Sequence, residues 1–260
     1  MEQSIYELLD EVQEDHWWFL GRKKIIRQLI EKFSVKQQSL AIADVGCGFG
    51  AHLDMLTQFG NVAALELNEE ALSKINSKWP AGNVKPIKWK SPEPLAERFD
   101  LMLLADVLEH IPDDKEAVDW MWQHLNPGGQ VLITVPAHQL LWTEMDDVCH
   151  HYRRYSKAQL KQLFESKFEI KYLSFYNSTL FPVKLLFVLL ARTVRKLFPK
   201  RPKQSYSDIP PAFVNKLFTM LLYLEAEIMR KTTLPLGCSL VILAEKLKKP
   251  EGVPDVVQLC

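Results

Sequence analysis

The chain is predicted to fold as a doubly wound α/β domain, a mostly parallel sheet with helices on both faces. Three observations predict this. Apolar runs at 40–45, 61–66, 84–89, 99–104, 130–135, 168–175 and 238–245 read as strands, and they alternate with helical segments as far as about residue 177. A turn with glycine at alternate positions, Gly46, Gly48 and Gly50, directly follows the first run. The second run ends in a carboxylate, Glu66, twenty positions after Gly46. The glycines leave no side chain where the turn is sharpest, so backbone N–H groups and the positive end of the next helix can approach a ligand. The spacing is G-x-G-x-G, which differs from the G-x-G-x-x-G of dinucleotide sites. An acid at the place of Glu66 can accept hydrogen bonds from both hydroxyls of a ribose.

Ahead of the first strand, residues 1–38 read as a helical cap. Val12, Trp17, Trp18 and Leu20 interleave with Glu11, Glu14 and Asp15, and a second helix is expected over 22–33. The dense stretch from His16 to Arg22 suits either a cover that excludes water from a reacting centre or a helix docking its aromatics on the core. Past the glycine turn, Phe99-Asp100-Leu101-Met102-Leu103-Leu104-Ala105-Asp106-Val107-Leu108-Glu109-His110-Ile111-Pro112 reads as a buried strand running into a helix. Leu125-Asn126-Pro127-Gly128-Gly129 reads as a helix end and a turn before the strand at 130–135.

In this order, the motifs over about residues 40–177 closely resemble class I S-adenosylmethionine-dependent methyltransferases of the small-molecule branch, including ubiquinone O-methyltransferases. The resemblance implies a seven-stranded Rossmann-like sheet whose last two strands form an antiparallel pair. It implies S-adenosylmethionine as cofactor, held by Asp44, Gly46, Gly48 and Gly50, with Glu66 on the ribose and Leu67 lining the adenine. Ala105 and Asp106 would stand at the mouth of the pocket. The family commonly has an acid after the third strand. Here Trp89-Lys90-Ser91-Pro92-Glu93 stands there, and Trp89 is read either as a stacking surface for the base or as core.

Methyl transfer from a sulfonium needs close, in-line approach, and a hydroxyl acceptor also needs a base, for which histidine suits neutral pH. His138 follows the fifth strand at the carboxyl edge of the sheet, and His110 follows the fourth. The cluster His150-His151-Tyr152-Arg153-Arg154-Tyr155, preceded by Asp146, resembles a subgroup signature of the form L-W-S…D…H-x-R-R-Y. His151, Arg154, Tyr155 and His138 are the expected catalytic residues, with His151 the leading base. Bidentate arginine would suit an anionic acceptor. The competing account has Arg153 and Arg154 paired with Asp146 and Glu144 to hold a loop, with Tyr155 packed beneath. No metal site is expected.

Composition bounds these readings. With 260 residues, 47% hydrophobic and 25% charged, the chain can bury one sizeable core with a lid or insert. Formal net charge is zero, so no global field favours nucleic acid, and the N/D-P-P-Y/F motif of base methylation is absent. Cys47, Cys149, Cys238 and Cys260 are scattered without a C-x-x-C pair, and the acidic start lacks a signal-peptide pattern. Both fit a reduced, cytoplasmic protein.

The charge is unevenly spread. Between Ile170 and Ser207 there is no Asp or Glu, while Lys171, Lys184, Arg192, Arg195, Lys196, Lys200, Arg201 and Lys203 all fall there. This block overlaps the connection over 178–236, about sixty residues where a short link would serve, and so long a connection needs structure of its own. An apolar helix is expected over 182–198, a Pro- and Lys-rich break through Pro211, and a second helix over 213–231. The domains then read as cap (1–38), core (39–177 and 237–247), insert (178–236) and tail (248–260). The first insert helix is too short to span a bilayer, and its basic flank suits the interface of an anionic membrane. A homodimer interface and a lid over the active site are the competing uses. The expected function is methyl transfer to oxygen on an amphipathic or membrane-presented acceptor: a lipid-linked saccharide, a polyprenyl compound or a quinone precursor. The protein would then be peripheral at the inner face of the membrane. A non-catalytic cofactor-binding scaffold or regulatory partner is the alternative.

Overall fold

The computed structural model describes residues 10–34, 39–80, 82–197 and 210–247. The expected tail from 248, the break over 198–209 and the first residues of the cap lie outside that set. Helix α1 (Trp17–Phe33) precedes β1 (Leu40–Val45), a short α2 (Leu53–Leu56), β2 (Gly60–Glu66), α3 (Glu69–Lys78), β3 (Val84–Lys88) and β4 (Phe99–Ala105). Then follow α4 (Asp114–His124), β5 (Leu125–Pro136), α5 (Glu144–Val148), α6 (Lys157–Phe164) and β6 (Phe168–Tyr176). The insert supplies α7 (Phe181–Leu197) and α8 (Ala212–Met229), and β7 (Ser239–Lys246) ends the described chain.

The seven strands form one sheet in the order β3-β2-β1-β4-β5-β7-β6. β7 runs antiparallel to both β5 and β6, and the other pairings are parallel. Strand order reverses between β1 and β4, so the crevice beyond their carboxyl ends is where an open α/β sheet binds ligands. Successive residues of β4 serve opposite faces, as the pleat requires. Leu101 and Leu103 pack with Ile25, Ile26, Leu29 and Ile30 of α1, whereas Met102 and Leu104 pack with Val118 and Met121 of α4. Both faces are covered, which explains why the strands are continuous apolar runs.

Two elements differ from the sequence reading. A single helix over Trp17–Phe33 replaces the expected break near residue 22, and His16 caps it by accepting from Trp18 N. β5 begins at Leu125, opposite Phe99, and its register shifts before Leu101 pairs with Gln130. The Pro127-Gly128-Gly129 turn is therefore a bulge inside the strand, with Gly128 at φ 78°.

The insert is joined to the cap. Asn215 Oδ1 on α8 accepts from Trp17 N at 2.8 Å, and its Nδ2 donates to Asp15 O at 2.7 Å. Trp17 meets Phe218 edge-on at 5.3 Å. Buried Glu225 accepts from Ser178 N at 2.9 Å and Thr179 N at 2.6 Å, tying α8 to the chain entering α7. Gly21 lets α1 and α8 approach closely, since a Cβ there would lie 2.2 Å from Leu222 Cδ1 and 2.6 Å from its Cβ. Among the described residues no helix is long and apolar enough to cross a membrane.

Gly21→Ala is accordingly expected to destabilise the fold by about 1–3 kcal/mol, because the overlap reaches Leu222 Cβ and rotamer change cannot relieve it. Thermal denaturation checks this; a melting temperature equal to that of the wild type would mean the helices can separate without loss.

Candidate active site

The glycine turn lies where β1 ends. Gly46, Gly48 and Gly50 have φ of 65°, 55° and 88°, a left-handed conformation that side chains disfavour. Gly46 N and Cys47 N donate to Leu65 O at 2.8 and 3.2 Å, stitching the turn to β2. Glu66 locks the two loops together. Its Oε2 accepts from Gly48 N at 2.9 Å, while Oε1 accepts from Leu67 N at 2.8 Å and Asn68 N at 2.9 Å. A carboxylate offers roughly four lone-pair sites, so about one stays open for a ribose hydroxyl. Glu66 thus positions the turn first and has less capacity for a diol than the motif alone suggests. At Gly48 a side chain would point into open space, whereas at Gly46 it would meet Val107.

A buried cation completes this half of the site. Arg22 on α1 is 5% exposed and forms an ion pair with Asp106 at the tip of β4. Asp106 is held at φ 58° and accepts from Thr134 Oγ1 at 3.0 Å. Among the described residues, Arg22 Nε, Asp44 Oδ2 and His52 Nε2 are buried and find no hydrogen-bond partner. Burial pushes Asp44 up to about 7, with Arg22 opposing and Glu66 reinforcing the rise. Burial, then Arg22 and Lys23, keep His52 neutral. A buried guanidinium with the orphaned Asp44 and His52 atoms supplies donors and acceptors of the kind that a zwitterionic amino acid and a ribose require. These residues fit S-adenosylmethionine, with Leu67 backbone and half-buried Ala105 beside them. Arg22 carried no assigned role in the sequence reading. Its signal was a charge on the apolar face that continues through Ile25, Ile26 and Leu29.

Trp89 requires a correction. It is 6% exposed, packs on Trp120 with ring centroids 4.5 Å apart, and donates Nε1 to Glu93 O at 2.7 Å. Its indole belongs to the core and is not a free face for a base.

The opposite half is built around Asp146, which is 1% exposed. Its carboxylate accepts from Arg154 Nε at 2.7 Å and Nη2 at 3.0 Å, and from Thr143 N at 2.7 Å; Oδ1 meets His151 Nδ1 at 2.9 Å. Burial works to raise its pKa, but the His151 and Arg154 hydrogen bonds outweigh it and hold the group well below the usual carboxylate range. His151 Nδ1 is committed to Asp146, which fixes the ring. Arg154 also donates to Ala137 O at 3.3 Å, so three of its five N–H groups are engaged within the protein. Its observed work is holding the loop, as in the competing account.

Tyr155 is likewise tied into the scaffold. Its hydroxyl donates to Asp114 Oδ2 at 3.0 Å, and Arg153 pairs with the same carboxylate at 2.8 Å. Burial and then Asp114 hold that hydroxyl well above its ordinary range, which makes it a poor base. His138 stands apart from His151, its ring stacked on Phe175 at 5.0 Å. Burial lowers its pKa, and Nε2 has no partner.

Between the halves lies Glu109, fully buried, with neither carboxylate oxygen hydrogen-bonded among the described residues. Burial and then Asp106 hold it well above the usual carboxylate range. His110 is pushed down to about 4, by burial first and by His151 next, and its ring meets His151 edge-on at 4.6 Å. Among the described residues, Glu109, His110 and His151 are the set whose donor atoms, within 4.8 Å of one another, could hold a metal ion.

Asp44 generates a pH prediction. Its folded value of about 7 exceeds the ordinary 3.8, so the folded state binds the extra proton. The associated stability is present at low pH and is lost as pH rises through about 7. Without cofactor, Asp44→Asn should therefore gain on the wild type in denaturant midpoint as pH climbs from 4 to 8. A constant gap between the two curves would show that Asp44 titrates normally.

A family model described as a methyltransferase domain matches residues 19–167. A probable S-adenosylmethionine-dependent methyltransferase of Mycolicibacterium smegmatis is 23% identical over 61% of this chain and 62% of its own length. A ubiquinone biosynthesis O-methyltransferase of Pseudomonas fluorescens is 27% identical over 36% of this chain and 43% of its own. The chain thus spans less than two thirds of these curated relatives. The crystal structure of the N-methyltransferase NodS from Bradyrhizobium japonicum WM9, in complex with S-adenosylhomocysteine, superposes with a TM-score of 0.54 at 12% identity, covering 94% of this chain and 98% of that one. That likeness shows a shared fold. Because the family match takes in the cap helix, the glycine turn and the sheet as far as β5, the chain belongs to the methyltransferase domain family.

Proposed function

We propose that this protein transfers a methyl group from S-adenosylmethionine to a hydroxyl of a small amphipathic acceptor presented at a membrane. Lipid-linked saccharides, polyprenyl compounds and quinone precursors are the acceptor types. The observation that carries the reading is the orientation of His151 by buried Asp146, in the half of the site opposite the glycine turn. S-adenosylmethionine supplies an electrophilic methyl on a sulfonium. His151 Nε2 would take the proton of the acceptor hydroxyl, whose oxygen would receive the methyl group that the bound cofactor supplies. Neutral His110 and fully buried Glu109 leave no solvated charge beside that oxygen. The similarity to a ubiquinone O-methyltransferase supports oxygen as the acceptor atom.

The insert supports the membrane part. Val183, Leu186 and Leu190 on α7 are 63%, 59% and 56% exposed, and Phe213 and Leu224 on α8 are 75% and 55% exposed. Exposed apolar residues on both insert helices mark contact surfaces. The acid-free, basic block over 170–207 favours an anionic lipid surface as its partner, held peripherally at the cytoplasmic leaflet.

With label transfer from methyl-labelled S-adenosylmethionine into a membrane lipid extract as the assay, His151→Ala should lower turnover by about 10²–10⁴-fold. Its affinity for S-adenosylhomocysteine should stay within about twofold of the wild type, because His151 lies outside the cofactor half. Loss of cofactor binding would return His151 to a structural role, and wild-type protein that binds cofactor but labels nothing would favour a non-catalytic scaffold.

The membrane contact is checked by co-sedimentation with anionic vesicles. Wild type should bind, more weakly at high salt, and Leu186→Glu with Leu190→Glu should abolish binding. A protein that ignores vesicles but dimerises through these residues would establish the competing interface.

A further inference from the structure

Helix α7 has two unlike faces. Leu186 and Leu190 point to solvent, while Phe181, Leu185 and Val188 pack inward on Leu141 and Cys238. Lys184 falls on the inward face, one turn before Val188 and beside Leu185. A lysine there loses water around its ammonium, and such a loss is ordinarily offset by a partner or relieved by reaching out to solvent. Among the described residues the Lys184 ammonium makes no hydrogen bond or ion pair. Its neighbours on that face, Leu185 and Val188, pack with Leu141 and Cys238, and Phe181 meets His138 with ring centroids 5.5 Å apart, which sets Lys184 beside the loop that leads to Asp146; burial lowers its pKa.

The neighbouring acids do not neutralise it. Asp146 is saturated by His151, Arg154 and Thr143. Asp147 accepts from Trp142 Nε1 at 2.9 Å, and Glu144 has an interaction of its own. Two turns along the same edge of α7, Arg192 donates Nη2 to Trp142 O at 3.2 Å and has no carboxylate partner among the described residues. Helical rise places the two Cα atoms about 12 Å apart. Lys184 and Arg192 thus leave positive charge with no carboxylate partner among the described residues along the seam between α7 and the loop through Leu141 and Trp142, with the exposed apolar face of α7 on the other side.

We infer that Lys184, with Arg192 farther along the seam, binds a phosphate group on the acceptor, so that the acceptor is a phosphate-bearing amphiphile. A lysine ammonium suits this task as a point charge with three rotatable donors. The phosphate would sit over the inward face of α7, and the hydrocarbon chain would leave toward the outward face and the membrane. The inference rests on the amphipathic acceptor proposed above and narrows it.

The test uses decyl phosphate below its micellar concentration, decanol and inorganic phosphate, each titrated calorimetrically into the protein saturated with S-adenosylhomocysteine. Wild type should bind decyl phosphate and prefer it to decanol by about tenfold or more. Lys184→Gln should lose about tenfold or more of that affinity, Lys184→Arg should retain most of it, and S-adenosylhomocysteine should bind all three alike. Competition by inorganic phosphate would show that the headgroup is recognised without its chain. Equal binding of decyl phosphate by wild type and Lys184→Gln, or equal binding of decyl phosphate and decanol, would overturn the inference. Wild type that binds decyl phosphate through Lys184 yet ignores vesicles would remove the membrane contact and leave this subsite standing.

Discussion

The ion pair between Arg22 and Asp106 holds the rest of the site in place. It brings a cation from the cap helix to the tip of β4, where Asp44 and Glu109 are also buried. Carboxylates gathered at one sheet edge repel and lose solvation, and a buried guanidinium offsets both effects. The same helix carries Gly21 against Leu222 and Trp17 against Phe218, so the insert takes its position from α1. Removing the guanidinium would leave acids unpaired in the core and loosen a helix on which α8 rests.

The two halves of the crevice use opposite electrostatics for different tasks. Around the glycine turn, charge and orphaned polar atoms await a ligand that is itself charged. Around His151, charge is internally satisfied: Asp146 is saturated, Arg153 and Tyr155 share Asp114, and His110 is neutral. The segment from Asp106 to His110 spans both halves. It carries Asp106 on the cofactor side and His110 against His151 on the other, with Glu109 between. A single turn of chain therefore links the Arg22–Asp106 pair to the His110–His151 contact.

The sheet was legible because apolar runs, glycines and one acid each have a local meaning. Gly46, Gly48 and Gly50 need their left-handed φ wherever the chain goes next, and the strand runs are buried on both faces whatever their neighbours. Partners are a tertiary matter, and there legibility faded. The pairing of Arg154 with Asp146 was one of the two uses the sequence offered, but nothing in H-x-R-R-Y says that Asp114, forty-one residues from Tyr155, will hold Tyr155 and Arg153. Trp89 could stack on a base or on Trp120, and only the position of α4 decides. Arg22 was hidden among aromatics, and its importance follows from a partner eighty-four residues away. The bulge at Gly128 read as a turn because a turn and a bulge demand the same backbone.

The account stands on one claim: cofactor lies against the glycine turn, between Glu66 and the Arg22–Asp106 pair. A crystal structure of the protein with S-adenosylhomocysteine tests it most directly. The prediction is electron density beside Gly46 and Gly48, the ribose at the open side of Glu66, and the amino-acid end among Arg22, Asp44 and Asp106. Ligand density elsewhere on the sheet edge, or a turn that stays closed on itself at saturating ligand, would contradict it.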